Sequence, residues 1–238
     1  MTSKINVVVP AGGAGRRFGN YDKPKPLIDI HGLTMIERVM DNLYHPDFNF
    51  TFCLLKEHEE KYNLSSIISA QMNCNFVILP TLTEGPAITA SLAIDYIDSG
   101  PLIIVNCDQI IEDLDWDKFL DFSMNYDGVI GTFDSDNLKN SFALTDDNGN
   151  VIKIREKEKI GPHALNGLHF WRNGNFFLDS VTKMVQANDR TNSEFYISNS
   201  YRYLIDEGKT IKTYKFNKHF PIGIPEDLEA YKNYLNAL

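Results

Sequence analysis

The chain has 238 residues, of which 43% are hydrophobic and 23% are charged. This composition is typical of a folded globular protein, and the length suits one α/β domain with a sizeable core. The net charge of −9 predicts a protein that does not bind nucleic acid or an anionic membrane. Cys53, Cys74 and Cys107 lack the spacing of a zinc site, which favours reduced thiols. With no signal segment or membrane-length apolar run in the sequence, these features predict a cytoplasmic protein.

Short apolar runs alternate with helix-period segments in the first half of the chain. The runs predicted as buried strands are 5–9, 50–55, 76–79 and 102–105. Helices are predicted from the apolar stripe of 35–43, from the polar stretch 57–70 and from the start at Gly85-Pro86. The inward stripe of this third helix is expected to be Ala87, Ala90, Ile94 and Ile97. Strands separated by helices require crossover connections, so this order predicts a mostly parallel sheet with helices on both faces.

The second half of the chain is less regular. The segments predicted as strands are 128–133, 142–144, 151–155 and 165–171. The predicted helices are 176–186, 194–207 and 225–235, the last of which begins with proline and two acids. Because no repeat or linker divides the sequence, we expect a single domain over 1–238.

A glycine-rich turn, Pro10-Ala-Gly-Gly-Ala-Gly-Arg-Arg-Phe-Gly19, follows the first predicted strand. Glycine allows backbone N–H groups to surround an anion, and open α/β sheets bind ligands at the carboxyl ends of their strands. The turn fits neither the dinucleotide pattern nor the Walker pattern. Its cations, Arg16, Arg17, Lys23 and Lys25, lie within ten residues, and prolines on both sides of Lys25 restrict the backbone. In an acidic chain this cluster favours a triphosphate site over its alternative, a tight turn beside a solvated basic patch.

Asp108 is expected at the same sheet edge, because it follows the predicted strand 102–105 and Asn106-Cys107. An aspartate there can bind Mg²⁺, a hard cation that takes oxygen ligands and bridges phosphates. A turn cap is the alternative role, but a cationic loop opposite favours the metal. Near the same edge, Glu84-Gly85 would let a nucleobase approach the backbone, and a plain glycine cap explains this pair equally well.

The run Gly12-Gly13-Ala14-Gly15-Arg16-Arg17, followed by Lys23-Pro24-Lys25-Pro26, resembles the signature of the sugar-1-phosphate nucleotidyltransferases. This family of nucleoside-diphosphate-sugar pyrophosphorylases includes glucose-1-phosphate thymidylyltransferase, and the similarity spans nearly the whole chain. Glu84-Gly85 resembles its base-reading turn, and Asn106-Cys107-Asp108-Gln109 its metal-binding strand end. Glu156-Lys157 resembles the pair that holds the sugar phosphate. Asn166-Gly167-Leu168 resembles the turn over the sugar, and Gly223-Ile224-Pro225-Glu226 the start of the closing helix.

The resemblance implies a Rossmann-like nucleotidyltransferase fold, a mixed, mostly parallel sheet flanked by helices. Residues 1–125 would be the nucleotide-binding half and 126–238 the substrate-binding half. The implied reaction is Mg²⁺-dependent and converts an NTP and a sugar-1-phosphate or similar phosphomonoester into an NDP-linked product and pyrophosphate. The expected nucleotide-binding residues are Ala11, Gly12, Gly13, Gly15, Arg16, Glu84 and Gly85. The expected catalytic residues are Arg17, Lys25, Lys157 and Asp108, the last as the metal ligand. The expected acceptor-binding residues are Glu156, Lys157, Gly167 and Glu194.

One departure and two alternatives stay open. Pro221 stands where many members carry a second metal-binding aspartate, and proline cannot ligate a metal. Glu194 opens the predicted helix 194–207, where a structural role is an equally good interpretation, because the helix dipole favours an acid in the first turn.

A glycosyltransferase of the related fold is the alternative enzyme, because Asp113, Asp115 and Asp117 fit its Asp-x-Asp metal pattern. A nucleotide-binding homologue without catalysis is the other alternative. The base, the acceptor and the oligomeric state are not determined by the sequence.

Overall fold

The computed structural model describes residues 4–19, 21 and 23–238. The strands are β1 (Ile5–Pro10), β2 (Asp29–Ile30), β3 (Leu33–Thr34), β4 (Phe48–Leu55), β5 (Cys74–Leu79), β6 (Leu102–Val105), β7 (Gln109–Ile111), β8 (Gly128–Phe133), β9 (Ser141–Thr145), β10 (Val151–Glu156), β11 (His163–Trp171), β12 (Ile211–Lys215) and β13 (His219–Pro221). The helices are α1 (Met35–Leu43), α2 (Lys56–Tyr62), α3 (Leu64–Ser69), α4 (Pro86–Ser91), α5 (Trp116–Ser123), α6 (Gly174–Gln186), α7 (Ile197–Asp206) and α8 (Pro225–Asn236).

Nine strands form one mixed sheet, in which seven lie in the order β10-β9-β11-β6-β1-β4-β5. β1 lies between β4 and β6 and is parallel to both, and β4 is parallel to β5. The second half of the chain joins through β11, which is antiparallel to β6, β8 and β9. β12 adds to β8 as a parallel strand. The mixed sheet with a parallel centre and flanking helices confirms the predicted fold class.

The helices cover both faces of the sheet, and β1 shows why its run of apolar residues is needed. Val7 and Val9 belong to the cluster that packs under α1, α3, α5 and α8. Val8 belongs to the opposite cluster, under α4, α6 and α7. All three valines are fully buried, because successive side chains of a strand point to opposite faces. The five apolar residues of α1 are buried as well, as its helical period predicts.

Some predicted elements differ from the observed ones. The third predicted helix ends early, at Ser91, so Ile94 lies in a separate 3-10 turn and its side chain is 58% exposed. The polar stretch 57–70 forms two helices, because Asn63 adopts a left-handed conformation (φ 51°) between them. Helix α7 begins at Ile197, so Glu194 precedes it and its expected place in the first turn is wrong. The short strands β7 and β13 were not predicted. They pair with each other outside the main sheet.

No helix among the described residues has both the length and the apolar content that crossing a bilayer requires.

Candidate active site

Two loops meet at the carboxyl ends of β1 and β6, which are neighbouring parallel strands. The glycine-rich loop follows β1, and Asn106–Asp108 follows β6. The Nζ atom of Lys25 lies 2.7 Å from Oδ2 of Asp108. Arg17 and Asp108 line a cleft of about 500 Å³, to which β9, β10, β11 and the start of α7 also contribute residues. The topology therefore brings cations from the first loop to the carboxylate of the second.

The Lys25–Asp108 pair is well shielded, since the two side chains are 17% and 28% exposed. Burial opposes the charge of Lys25, but the attraction of Asp108 outweighs it and holds the pKa of Lys25 above its usual value. Burial likewise opposes the charge of Asp108, and the nearby ammonium of Lys25 and guanidinium of Arg17 together hold the pKa of Asp108 below its usual value. Both groups are therefore charged at neutral pH.

Asp108 has the chemistry of a Mg²⁺ ligand. Its Oδ2 bonds to Lys25, and the hydrogen bonds found among the described residues leave Oδ1 without a donor. Among the residues that the structure describes, no group of three or more aspartate, glutamate, histidine or cysteine side chains is arranged to hold a metal. Mg²⁺ is commonly held by one or two carboxylates together with substrate phosphates, so a single aspartate beside Lys25 and Arg17 fits that ion. Asp227, in the first turn of α8, lines the same cleft.

The segment at the end of β13 fits closely around Asp108. Pro221 pairs with Gln109 across the two short strands, and the N–H of Ile222 donates to the carbonyl oxygen of Asp108 at 2.9 Å. A β-carbon on Gly223 would lie 2.6 Å from Oδ2 of Asp108. Residue 223 must therefore be small for the carboxylate to keep its position.

The cations of the glycine-rich loop do not all face the same way. Arg17 lines the main cleft, whereas Arg16 and Lys23 line a separate cavity of about 240 Å³ against α2. Lys25 borders that cavity too, although its Nζ reaches Asp108. Gly15 adopts a left-handed conformation (φ 62°) and turns the chain tightly against Lys25. The predicted cluster of four cations is thus divided between two sides of the loop.

The start of the loop is held by the sheet rather than by the cleft. The N–H of Ala11 donates to the carbonyl oxygen of Cys53 at 3.0 Å. A β-carbon on Gly12 would lie 2.3 Å from the side chain of Leu79, whereas one on Gly13 would meet nothing within 4 Å. Ala11 and Gly12 are buried and Gly13 is exposed. Among these expected nucleotide-binding residues, only Gly13 has open space beside it.

The Glu84-Gly85 turn is shaped by the segment that precedes α7. Gly85 has a φ of 129°, and a β-carbon there would lie 2.6 Å from backbone atoms of Phe195. The carbonyl oxygen of Glu84 accepts from the N–H of Phe195, and the N–H of Ala87 donates to the carbonyl oxygen of Phe195. The Glu84 carboxylate pairs with Arg190 at 3.0 Å. Contact with Phe195 therefore explains the glycine, and base reading by this turn stays a prediction.

Glu156 and Lys157 line the same cleft at the end of β10. One carboxylate oxygen of Glu156, Oε1, accepts hydrogen bonds from the hydroxyls of Ser141, at 2.5 Å, and Ser198. Burial raises the pKa of Glu156 despite these two bonds and the nearby charge of Lys157. Lys157 has a φ of 58°, a conformation that non-glycine residues seldom adopt, and Asn140 accepts from its backbone N–H.

Glu194 reaches this part of the cleft only through another residue. The Nζ of Lys157 donates to the hydroxyl oxygen of Tyr196 at 3.1 Å. Burial is the main cause of a raised Tyr196 pKa, to which a hydrogen bond with Glu194 adds. Glu194 itself is not part of the cleft lining, whereas Lys157 and Tyr196 are. Gly167, also in the lining, has a φ of 80°, and a β-carbon there would lie 2.3 Å from the amide nitrogen of Asn106.

Most of the lining residues were not among the expected site residues, and they include Gln109, Asn166, His169 and His219. Gln109 and Asn166 stand in two of the motifs that carry the resemblance, and this was their only sequence signal. Burial lowers the pKa of His169 to about 3 and that of His219 to about 4. Both imidazoles are therefore neutral at neutral pH. The two histidines lie on β11 and on β13, which was not predicted as a strand.

The acids of the Asp-x-Asp pattern have structural roles away from the cleft. Asp113 accepts hydrogen bonds from the backbone N–H groups of Asn217 and Lys218. Asp115 caps the N-terminus of α5 by accepting from the N–H of Lys118. Since none of the three acids lines the cleft, the pattern gives no support to a glycosyltransferase site.

Comparison with known proteins finds a domain family that matches part of the chain and solved structures that share its fold. Residues 7–123 match the MobA-like NTP transferase domain. No curated protein matches the chain in sequence. A nucleoside-diphosphate-sugar pyrophosphorylase from Vibrio cholerae RC9 has a similar structure, with a TM-score of 0.85 and 22% identity over 95% of this chain and 99% of that one.

Two further solved structures share the fold. A putative glucose-1-phosphate thymidylyltransferase from Bacillus anthracis, in complex with a sucrose, has a TM-score of 0.81 and 16% identity over 98% of this chain and 96% of that one. An inositol-1-phosphate CTP transferase from T. maritima has a TM-score of 0.71 and 16% identity over the same shares. These similarities extend the shared fold beyond residue 123 to nearly the whole chain.

Proposed function

We propose that the chain joins an NTP to a phosphomonoester, because residues 7–123 match the MobA-like NTP transferase domain. The products are an NDP-linked compound and pyrophosphate. A sugar-1-phosphate or a similar small phosphomonoester is the acceptor, and the reaction depends on Mg²⁺. The structurally similar proteins are described as acting on glucose-1-phosphate or inositol-1-phosphate, which supports an acceptor of this size.

The contact between Lys25 and Asp108 is the observation that carries the proposal. It joins the glycine-rich loop to the end of β6 at one end of the cleft, where Arg17 also lies. We call Arg17, Lys25 and Asp108 the nucleotide end. A second set of lining residues comprises Ser141, Glu156, Lys157, Asn166 and Ser198, and we call it the acceptor end. Cations at both ends suit two anionic substrates that must meet in a chain whose net charge is −9.

The proposed step is an in-line displacement at the α-phosphorus. An oxygen of the acceptor phosphate forms the new P–O bond, and the bond to the departing pyrophosphate breaks, so that no protein nucleophile is needed. Arg17 binds the triphosphate, Lys25 holds the α-phosphate and the attacking phosphate, and Lys157 holds the acceptor phosphate. Because both reactants are anions and charge builds on the leaving group, fixed cations lower the barrier.

Asp108 is the residue that would hold Mg²⁺, and Asp227 of α8 is a further carboxylate in the cleft lining. When bound, this ion neutralises phosphate charge in the transition state. Pro221 supplies no ligand, so substrate phosphate and water would have to provide the remaining ligands of the ion. When no Mg²⁺ is bound, the ion pair with Lys25 prevents the carboxylate of Asp108 from being an isolated buried charge.

A matrix of four NTPs against a panel of phosphomonoesters, read out as pyrophosphate release with Mg²⁺, tests the proposal. We expect one NTP and one acceptor class to give pyrophosphate and an NDP-linked product of matching mass. Release of NDP or NMP from a nucleotide sugar, without pyrophosphate formation from any NTP, would support the glycosyltransferase alternative. Nucleotide binding without turnover of any pair would support the non-catalytic alternative.

A further inference from the structure

The strand that directly follows Asp108 lies outside the main sheet. This strand, β7, forms a two-stranded sheet with β13, so its other edge has backbone groups that need partners. The side chain of Asn42 provides them at Ile111, which is fully buried. Nδ2 of Asn42 donates to the carbonyl oxygen of Ile111 at 2.9 Å, and Oδ1 accepts from its N–H at 2.9 Å. One amide therefore takes the place of a third strand beside β7.

Asn42 connects two segments that are far apart in the sequence. It lies on α1, the helix that follows the glycine-rich loop and Lys25. The start of this helix is bonded to the end of that segment, because the N–H of Met35 donates to the carbonyl oxygen of Ile28 at 2.8 Å. The amide of Asn42 thus joins the part of the chain that carries Lys25 to the part that carries Asp108.

The ion pair between Lys25 and Asp108 is the direct contact between these two segments. In the proposed reaction both charges have other tasks, since Lys25 binds phosphate and Asp108 holds the metal ion. The pair alone therefore cannot fix the distance between the segments while substrates are bound. Asn42 does not line the cleft, so substrates do not compete for its two hydrogen bonds. This uncharged link remains in place when the ion pair is broken.

We propose that Asn42 is a positioning residue, which fixes Asp108 relative to Lys25 through the backbone of β7. The inference rests on the proposed function, and no sequence motif indicated this residue. The opposite side of the same segment is also held, because the N–H of Ile222 after β13 donates to the carbonyl oxygen of Asp108 at 2.9 Å. Ligands of a metal ion or a phosphate act best when the groups behind them are fixed in this way.

The first test measures kcat and both KM values in Asn42→Leu, which has a similar size but neither hydrogen bond. The full chain is used with Mg²⁺ and the substrates that give turnover. We expect kcat to fall roughly tenfold and both KM values to stay within about threefold, because a displaced carboxylate mainly affects the transition state. Asn42→Ala leaves space in which water can satisfy Ile111, so it should fold and lose kcat in the same way. An unchanged kcat in folded Asn42→Ala would overturn the inference.

The second test does not depend on turnover. Electron paramagnetic resonance measures the affinity for Mn²⁺ in the presence of an NTP and without an acceptor. We expect Asn42→Ala to weaken Mn²⁺ binding roughly tenfold, as the loss of a supporting group behind a metal ligand does. In an Asp108→Ala background the same change should have no further effect. An equal loss in both backgrounds would show that Asn42 does not act through Asp108.

A matched control separates positioning from stability. The hydroxyl of Tyr201 is buried and donates to the carbonyl oxygen of Phe170 at 3.2 Å, and this residue does not line the cleft. Tyr201→Phe should lower the free energy of unfolding in denaturant titrations, as Asn42→Ala does, but leave kcat and the Mn²⁺ affinity unchanged. If Tyr201→Phe lowered both quantities as much as Asn42→Ala, reduced stability would explain the losses and the inference would be wrong.

The two tests also separate this inference from the proposed function. If no NTP gives pyrophosphate with any acceptor, the proposed function fails, and the Mn²⁺ measurement still decides the role of Asn42. If the unmodified chain gives turnover and the Asn42 variants match it, only this inference fails. If the unmodified chain neither gives turnover nor binds Mn²⁺ with any NTP, both fail.

Discussion

Polar groups in the two regions of the cleft differ in whether they have hydrogen-bond or ion-pair partners. At the nucleotide end, Lys25 and Asp108 satisfy each other as a shielded ion pair. Elsewhere in the cleft lining, the amide nitrogens of Gln109 and Asn166 have no hydrogen-bond partner among the described residues, and His169 and His219 are neutral. The charges of Lys25 and Asp108 therefore neutralise each other without a ligand, whereas the amide nitrogens still lack hydrogen-bond acceptors.

The difference matches two tasks. Charge that is fixed in advance stabilises charge that develops in a transition state, whichever phosphate bears it. Unpartnered neutral groups contribute little to such a step, but they penalise any ligand that fails to satisfy them. The comparison therefore predicts that changes at the nucleotide end reduce turnover for every acceptor. Changes at the acceptor end should alter the choice among acceptors.

Removal of either partner of the shielded pair should have the largest effect. Lys25→Ala and Asp108→Ala are each expected to lower kcat by roughly 10²–10³-fold, because each removes a preorganised charge and leaves its partner buried alone. Steady-state pyrophosphate release measures the loss. The double variant should lose less than the product of the single losses, because the two groups act together.

The Lys118–Asp115 pair provides a matched control. Its Nζ–Oδ2 distance is also 2.7 Å, but its side chains are 77% and 44% exposed. Lys118→Ala should leave kcat unchanged, since solvent-exposed pairs contribute little. Normal turnover in Asp108→Ala would contradict the metal and phosphate roles given to the nucleotide end.

A second pair of variants should separate the two ends. Arg17→Ala is expected to weaken NTP binding roughly tenfold or more, and Lys157→Ala to raise the acceptor KM by a similar factor, because each removes a charged hydrogen-bond donor to one phosphate. Full kinetic surfaces with both substrates varied measure the two effects. If Arg17→Ala changed only the acceptor KM, the assignment of the two ends would be reversed.

A third prediction concerns the space around Asp108. In Gly223→Ala the new methyl group would lie 2.6 Å from Oδ2, so the carboxylate or the segment after β13 must move. We expect roughly a tenfold loss of kcat with little change in the acceptor preference, because a displaced carboxylate affects every substrate. Kinetics across the panel of phosphomonoesters test this. A changed preference with unchanged kcat would place Gly223 at the acceptor end instead.

Local sequence patterns predicted most of the first half of the fold, because β1, β4, β5 and β6 are continuous apolar runs bounded by turn residues. The short strands β7 and β13 have three residues each and little periodicity, and they exist because they pair with each other. Helix α7 begins later than predicted because residues 191–195 instead bond back on themselves and to the Glu84-Gly85 turn. Such contacts between distant segments have no local signal.

The same distinction applies to the site. Lys25 and Asp108 lie in motifs whose residue types already indicate phosphate and metal chemistry, so the sequence suggested both. His169 and His219 lie in apolar or aromatic surroundings, where a histidine is equally expected as a packed core residue. Ser141 and Ser198 meet only at the carboxylate of Glu156, across 15 and 42 residues. Hydrogen bonds between such distant residues can be seen only once the fold is known.

The smallest expected effect on activity, but a measurable one on stability, comes from the neutral histidines. Burial lowers the pKa of His169 to about 3 in the folded protein, from 6.5 in the unfolded chain. Between these values the unfolded chain binds a proton that the folded chain does not, so stability falls as the pH falls through this range. For His169 alone the free energy of unfolding should be about 2 kcal/mol lower at about pH 5 than at about pH 8.

Denaturant titrations at several pH values measure the slope of the free energy of unfolding against pH. His169→Phe should reduce the slope. An unchanged slope in His169→Phe would mean that folding does not lower the pKa of His169, and the neutral imidazole assigned to the cleft lining would be wrong.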